Sequence, residues 1–423
     1  MNSTVAAERL VIKIHDDLKL AYHPDSELCD YFLKGQFMPF GKLLENFPGT
    51  SVRNLFSSVR PEKIEECIRR AVQSDPDYQS TRLLNYFAID CSPEIHLQEL
   101  LLSLSENKMI ELAYRETGSF APLVFEKSFY NAFTGQEYLD PSPWGINAKY
   151  AWRFKGGDGK GKVKFIDIEK GWIDHAAIKT GHYSDTGINQ FAYGDHGAGV
   201  LGIIMMSPGD EGGIGITPEV QGYVMSQYRP DGILNTADAI LTAISHLQFG
   251  DILLLEAQVT DFAGKGNLWP VEIQDAIWQV IRLATALGII VIEAAGNGNL
   301  NGVEGNDLDL FHLNGKKILD PKDTAFKDSG AIMVAASTMS APHRRMTFSN
   351  YGRRINCFAS GENILTAGNH PGNSGCAINM YTSRFGGTSG AAAIITGAVI
   401  SIQSIKEANN QTRFSPSEMR RLV

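Results

Sequence analysis

The strongest constraint on the fold is a pair of nearly unbroken apolar runs joined by one helix-length segment. "DILLLEAQV" (251–259) and "GIIVIEAAG" (288–296) show no polar alternation, and "VEIQDAIWQVIRLATALG" (271–288) between them repeats apolar residues at helical spacing before closing on Gly288. A strand covered on both faces reads as a continuous apolar run, and a helix between two such strands makes a parallel crossover. "KVKFID" (162–167) and "AIMVAAS" (331–337) add strands of the same texture. The pattern predicts an α/β fold with a doubly wound, mostly parallel sheet.

The chain before this region has another texture. "LVIKI" (10–14), "LLNYFAI" (83–89) and "MIELAY" (109–114) read as strands, while "PEKIEECIRRAV" (61–72) and "SPEIHLQELLLSLSEN" (92–107) read as helices with a proline near the start. That β-α-β-α-β order predicts a small α+β domain over 1–117. Gly118, Pro122, Gly135, Pro141 and Pro143 mark a linker over 118–143, and the α/β domain takes 144–423. The closing "SPSEMRRLV" (415–423) is a capping box opening a short helix.

Bulk properties exclude some functions. With 38 basic against 47 acidic residues, the net charge of −9 offers no basic patch for nucleic acid or an anionic membrane. Cys29, Cys67, Cys91, Cys357 and Cys376 form no C-x-x-C pair and read as reduced thiols. Charges at Glu8, Arg9, Lys13, Asp16, Asp17 and Lys19 leave no signal-peptide core, and no stretch reads as long enough to span a membrane. The expected location is the cytoplasm, unless the chain leaves by an unconventional route.

Open α/β sheets put reactive groups at the carboxyl ends of strands or at the start of the following helix. Asp167, His196, Asn297 and Ser389 fall at such places. Each alone has a plain structural use as a turn, helix-start or capping residue. Together they form a chemical set. A serine hydroxyl needs an imidazole to accept its proton, the imidazole needs a carboxylate to fix its tautomer, and the tetrahedral oxyanion needs donors already in place. The order Asp, His, Ser differs from that of the α/β-hydrolases, and Gly387-Thr388-Ser389-Gly390-Ala391 lacks their glycine two positions after the serine. Asp195 is expected to cap its helix, and Asp174 and His175 to make loop contacts. No H-E-x-x-H or Cys/His cluster supports a catalytic metal.

These blocks carry a family resemblance. From about Tyr138 to Val423 the chain resembles the subtilisin-like serine peptidases, or subtilases, through "VKFIDIEKGW", "DHGAGVLGII", "EAAGN" and "GGTSGAAAIITGAV". The resemblance implies a subtilisin-like sheet and a serine endopeptidase that hydrolyses protein or peptide substrates without a cofactor. Ser389 would be the nucleophile, His196 the general base, Asp167 the orienting carboxylate and Asn297 the oxyanion donor. A catalytically silent binding scaffold is the alternative. Small residues around Ser389 would let a substrate backbone approach. Where the family usually has Ser-Leu-Gly lining its primary pocket, this chain has Glu256-Ala257-Gln258, with Gly296 and Thr388 completing the substrate-binding set. Glu256 would meet a cationic substrate side chain, or else Glu256 or Glu293 is tied into a structural network. Structural calcium, known in the family, could draw on the acidic loop 301–310, which otherwise reads as solvated. The N-terminal domain stands where subtilases carry an inhibitory propeptide, which implies packing on the catalytic domain and cleavage between about 115 and 143.

Overall fold

A computed structural model describes residues 8–18, 20–121, 136–208, 213–261, 266–300, 303–368 and 380–423. The N-terminal layer is an antiparallel sheet of β1 (Glu8–Ile14), β2 (Thr50–Asn54), β3 (Tyr86–Cys91) and β4 (Ile110–Glu116), in the order β2-β3-β1-β4. Its helices are α1 (Asp25–Phe32), α2 (Met38–Glu45), α3 (Pro61–Ser74) and α4 (Leu97–Ser105). Three of these elements, α1, α2 and β2, exceed the β-α-β-α-β expectation. In β2 only Val52 and Asn54 are buried, too little apolar signal to announce a strand. The strand expected at 83–89 starts later, because Leu83–Asn85 coil as a 3-10 turn that buries Leu83 and Asn85.

A two-residue strand, β5 (Ser119–Phe120), and a short helix, α5 (Ala148–Ala151), lead into the large domain. There β6 (Lys164–Glu169), α6 (Gly194–Met205), β7 (Gln221–Ser226), α7 (Thr236–His246) and β8 (Ile252–Leu255) alternate. The run expected as one strand at 251–259 breaks after Leu255 and resumes as β9 (Gln258–Thr260), which pairs with β10 (Leu268–Pro270). The rest follows as α8 (Asp275–Ala286), β11 (Ile290–Ala294), β12 (Ile332–Ser337), β13 (Cys357–Ser360), β14 (Ile364–Ala367), β15 (Tyr381–Phe385), α9 (Gly387–Ala408) and α10 (Pro416–Leu422). The fold is α/β, with a six-stranded parallel sheet in the order β13-β12-β11-β8-β6-β7. The expected capping box is present between Ser415 and Glu418.

The two sheet faces carry separate cores. Ile166, Ile168, Leu253, Leu255 and Val291 pack with Ile240 of α7 and Ile281 of α8, and Val11, Leu55 and Ile64 of the N-terminal layer join the same cluster. Phe165, Leu254, Ile292 and Val334 face Val200 and Ile204 of α6 and Ala392 and Ile400 of α9. Each such fully buried Val, Leu, Ile or Phe side chain contributes roughly 1.5–3 kcal/mol relative to exposure. Helix α9 is long and apolar enough to cross a membrane, which corrects the expectation that no stretch is. Most of it is buried inside the fold, so its apolarity serves the core.

Polar bonds join the N-terminal layer to α7 and α8. Asp238, near the start of α7, accepts from Ser57 N at 3.0 Å, Ser58 N at 3.1 Å and Arg229 Nε at 2.9 Å. The Tyr86 hydroxyl donates to Asp275 at 2.7 Å and Asn235 Nδ2 to Leu55 O at 2.7 Å.

Candidate active site

Strand β6 runs to Glu169, two residues beyond the end expected at Asp167. Side chains alternate along a strand, so Phe165, Asp167 and Glu169 share the face that α6 and α9 cover. The sheet order reverses at β6, with β7 on one side and β8 on the other. Open α/β sheets form a crevice beyond the carboxyl ends of strands at such a switch point. Glu169 ends β6 and Glu256 follows β8, so both stand there.

His196 lies in the first turn of α6, which begins at Gly194, so Asp195 is inside that turn and not its cap. Gly197 lets the turn press onto the loop after β6, since a Cβ there would lie 2.4 Å from Gly171 O. The approach brings His196 Nδ1 to 2.5 Å from Glu169 Oε1 and His196 Nε2 to 2.9 Å from Ser389 Oγ. With the proton on Nδ1, Nε2 can accept from the serine hydroxyl. Burial pushes the imidazole down to about 3, favouring that neutral form.

Asp167 does not hold the imidazole. Neither of its carboxyl oxygens has a hydrogen-bonding partner. It sits two residues back along the strand, about 7 Å deeper in the sheet at the usual rise. The carboxylate on His196 is Glu169, which sequence reading passed over. Just beyond the strand the chain packs closely on the segment before α6, since a Cβ at Gly171 would lie 2.1 Å from Gln190 O.

Asn297, in the loop after β11, is held by its own oxygen. Its Oδ1 accepts from Thr388 N at 3.0 Å and Thr388 Oγ1 at 2.9 Å, while Nδ2 is buried without a partner. Thr388 therefore faces Asn297, and its Oγ1 also accepts from Gly296 N at 3.3 Å. Ser389 follows in the first turn of α9, where backbone N–H groups have no intrahelical acceptor. Gly390 makes room for core packing and not for a substrate, because a Cβ there would meet Ile364 at 2.5 Å.

A model of the subtilase family matches residues 164–423. This chain belongs to the subtilase family. Fervidolysin from Fervidobacterium pennivorans, a keratinolytic enzyme related to subtilisin, matches over 100% of this chain with a TM-score of 0.54 and 14% identity, a likeness of fold. The chain spans 57% of fervidolysin's length. The prenylagaramide maturation protease PagA covers 65% of this chain and 85% of its own, with a TM-score of 0.44 and 19% identity. No curated protein sequence matches. Family membership supports serine peptidase chemistry in general.

Three carboxyls crowd the switch point of this subtilase. Asp167, Glu169 and Glu256 are all buried, and burial first, then neighbouring carboxyls for Asp167 and Glu256, pushes them well above the usual carboxyl range. For Glu169 the nearby Lys170 opposes that rise. Only Glu169 has an imidazole N–H to accept, so a negative charge is best placed there. Glu256 lies beside Ser389, whose hydroxyl is also within reach of His196, and no cation neutralises it among the described residues. Glu293 differs: it accepts from Glu272 N at 3.1 Å, beside the buried Arg354–Glu272 pair at 2.7 Å.

The remaining expected residues frame a groove. Ala257 is buried between β8 and β9. Gln258 accepts from Asn297 N at 2.8 Å and donates to Ala121 O at 3.1 Å. Strand β5 pairs antiparallel with β9, Ser119 opposite Val259 and Phe120 opposite Gln258, and the Ser119 hydroxyl donates to Gln227 beyond β7. Thus a segment of the chain's own linker lies extended between the two strand ends. Residues 122–135 of that linker lie outside the described residues, as do 301 and 302 of the acidic loop and Cys376. In the rest of that loop, Asp307 accepts from Asp309 N at 3.0 Å and Asp309 pairs with Arg353 at 3.4 Å. His175, at 3.0 Å from Met380 O, makes a loop contact.

Proposed function

We propose that this subtilase is a serine endopeptidase whose orienting carboxylate is Glu169 in place of Asp167. Ser389 Oγ attacks the scissile carbonyl carbon as its proton passes to His196 Nε2. The resulting imidazolium is stabilised by Glu169, and the oxyanion by Asn297 Nδ2 and the Ser389 amide. The proton then passes from His196 to the departing amine, and water repeats the sequence on the acyl-enzyme. The observation that carries this reading is the continuous bond path Glu169–His196–Ser389 beside the unpartnered Asn297 Nδ2.

The N-terminal domain then acts as an inhibitory propeptide, with β5 occupying the groove by strand addition. The carboxyl of Glu256, buried beside Ser389 just past β8, is placed to ionise against a cationic substrate side chain at the primary pocket. Labelling by a fluorophosphonate probe that is lost in Ser389→Ala tests the peptidase against the silent scaffold. Intact mass after incubation tests processing: the wild type should shorten at a site between about 115 and 143, and Ser389→Ala should not. A chain that resists both label and cleavage would leave the scaffold.

A further inference from the structure

Lys170 stands where the catalytic path meets the groove; its charge favours ionised Glu169, but it touches no reacting atom. It directly follows Glu169, yet Glu169 is turned to His196. The Lys170 side chain is only 8% exposed, and its ammonium donates to the main-chain carbonyl of Ser119. The same ammonium lies 5.5 Å from the ring centroid of Phe120 and 5.1 Å from that of Tyr193. Besides the charge of neighbouring Glu169, the buried cation is thus held by one backbone oxygen and two aromatic faces, and two of these three partners belong to the segment in the groove.

We propose that Lys170 is a subsite residue that grips a peptide in the groove by a main-chain carbonyl and selects an aromatic side chain at the next position. The inference rests on the reading of β5 as a stand-in for substrate. The β5–β9 ladder would form with any sequence, because it uses only backbone groups. The carbonyl grip is equally indifferent to side chains. The ring is different: an aliphatic group of the same size would bury similar area but offer no negative π face to the ammonium. Phe120 remains 39% exposed, so its ring is held from the Lys170 side and not enclosed in a pocket. Tyr193, fixed just before α6, supplies the second face whatever peptide is bound.

Two measurements test this, the first of them independent of catalysis. In full-length Ser389→Ala, hydrogen exchange of the 117–121 segment should quicken several-fold on adding Lys170→Met, and return on Lys170→Arg, which keeps cation and donors. Exchange in β12 should not change. Equal exchange in all three chains, or quickening everywhere, overturns the grip. In trans, peptides carrying phenylalanine or cyclohexylalanine at successive positions should show one position where phenylalanine is favoured about 3- to 30-fold through KM, a preference lost in Lys170→Met. A preference that survives Lys170→Met, or one for acidic side chains, overturns the aromatic selection. If no version turns over any peptide, the peptidase reading fails, while the exchange measurement still decides the grip.

Discussion

Glu169 and Asp167 lie on one strand, one face and one pleat apart, and exchanging each for its amide separates their roles. In Glu169→Gln the amide can present an N–H to His196 Nδ1, which drives the proton to Nε2 and leaves no base facing Ser389 Oγ. The charge lost also stabilised the imidazolium formed during attack. With Glu169 Oε1 at 2.5 Å from Nδ1, the two charge centres stand about 4 Å apart, worth about 4 kcal/mol at an effective dielectric near 20. That is about 10³ in rate, and the tautomer error extends the expected loss in kcat to about 10⁴. Asp167→Asn removes an ionisable group that has no partner, so kcat should stay within about threefold and Tm should hold or rise. The assay is steady-state turnover of a peptide substrate, with far-UV circular dichroism confirming that both variants fold. A large loss in Asp167→Asn beside a mild one in Glu169→Gln would refute the assignment of Glu169.

Asn297→Ala should lower kcat by about 10²–10³ with little change in KM, because Nδ2 acts only on the oxyanion; an equal rise in KM would show a ground-state role. Glu256 holds its proton more tightly folded than unfolded, so the stability it contributes is full below the unfolded pKa of about 4.3 and is lost as pH rises through its raised value. Glu256→Gln should therefore gain Tm over the wild type progressively from about pH 5 upward, and parallel melting curves across pH would contradict this. Arg354→Met strands buried Glu272 and should cost about 3–5 kcal/mol in urea unfolding, with Glu272→Gln recovering much of it in the double variant; additive losses would argue against a coupled pair.

The sheet was legible because its strands are covered on both faces, and double burial writes continuous apolar runs such as 251–259 and 288–296 into the chain. Ser389, His196 and Asn297 were legible because each stands at a helix start or just past a strand, where the backbone itself marks the place. Elements covered on one face only, such as β2, carry too few apolar positions to be seen.

The sequence by itself determined that an imidazole, a serine and an amide would stand at ends of neighbouring elements. It did not determine which carboxylate serves the imidazole, since Asp167 and Glu169 share a strand face. Tertiary structure decided that: the close approach of α6 at Gly197 sets the height of His196 over the sheet, and only a side chain at the strand's last residue reaches it. The chain alone was silent on Lys170 and left two uses of Glu256 open. A charged residue beside a buried run is ambiguous until its neighbours are known, because whether burial isolates a charge or pairs it depends on segments distant in sequence.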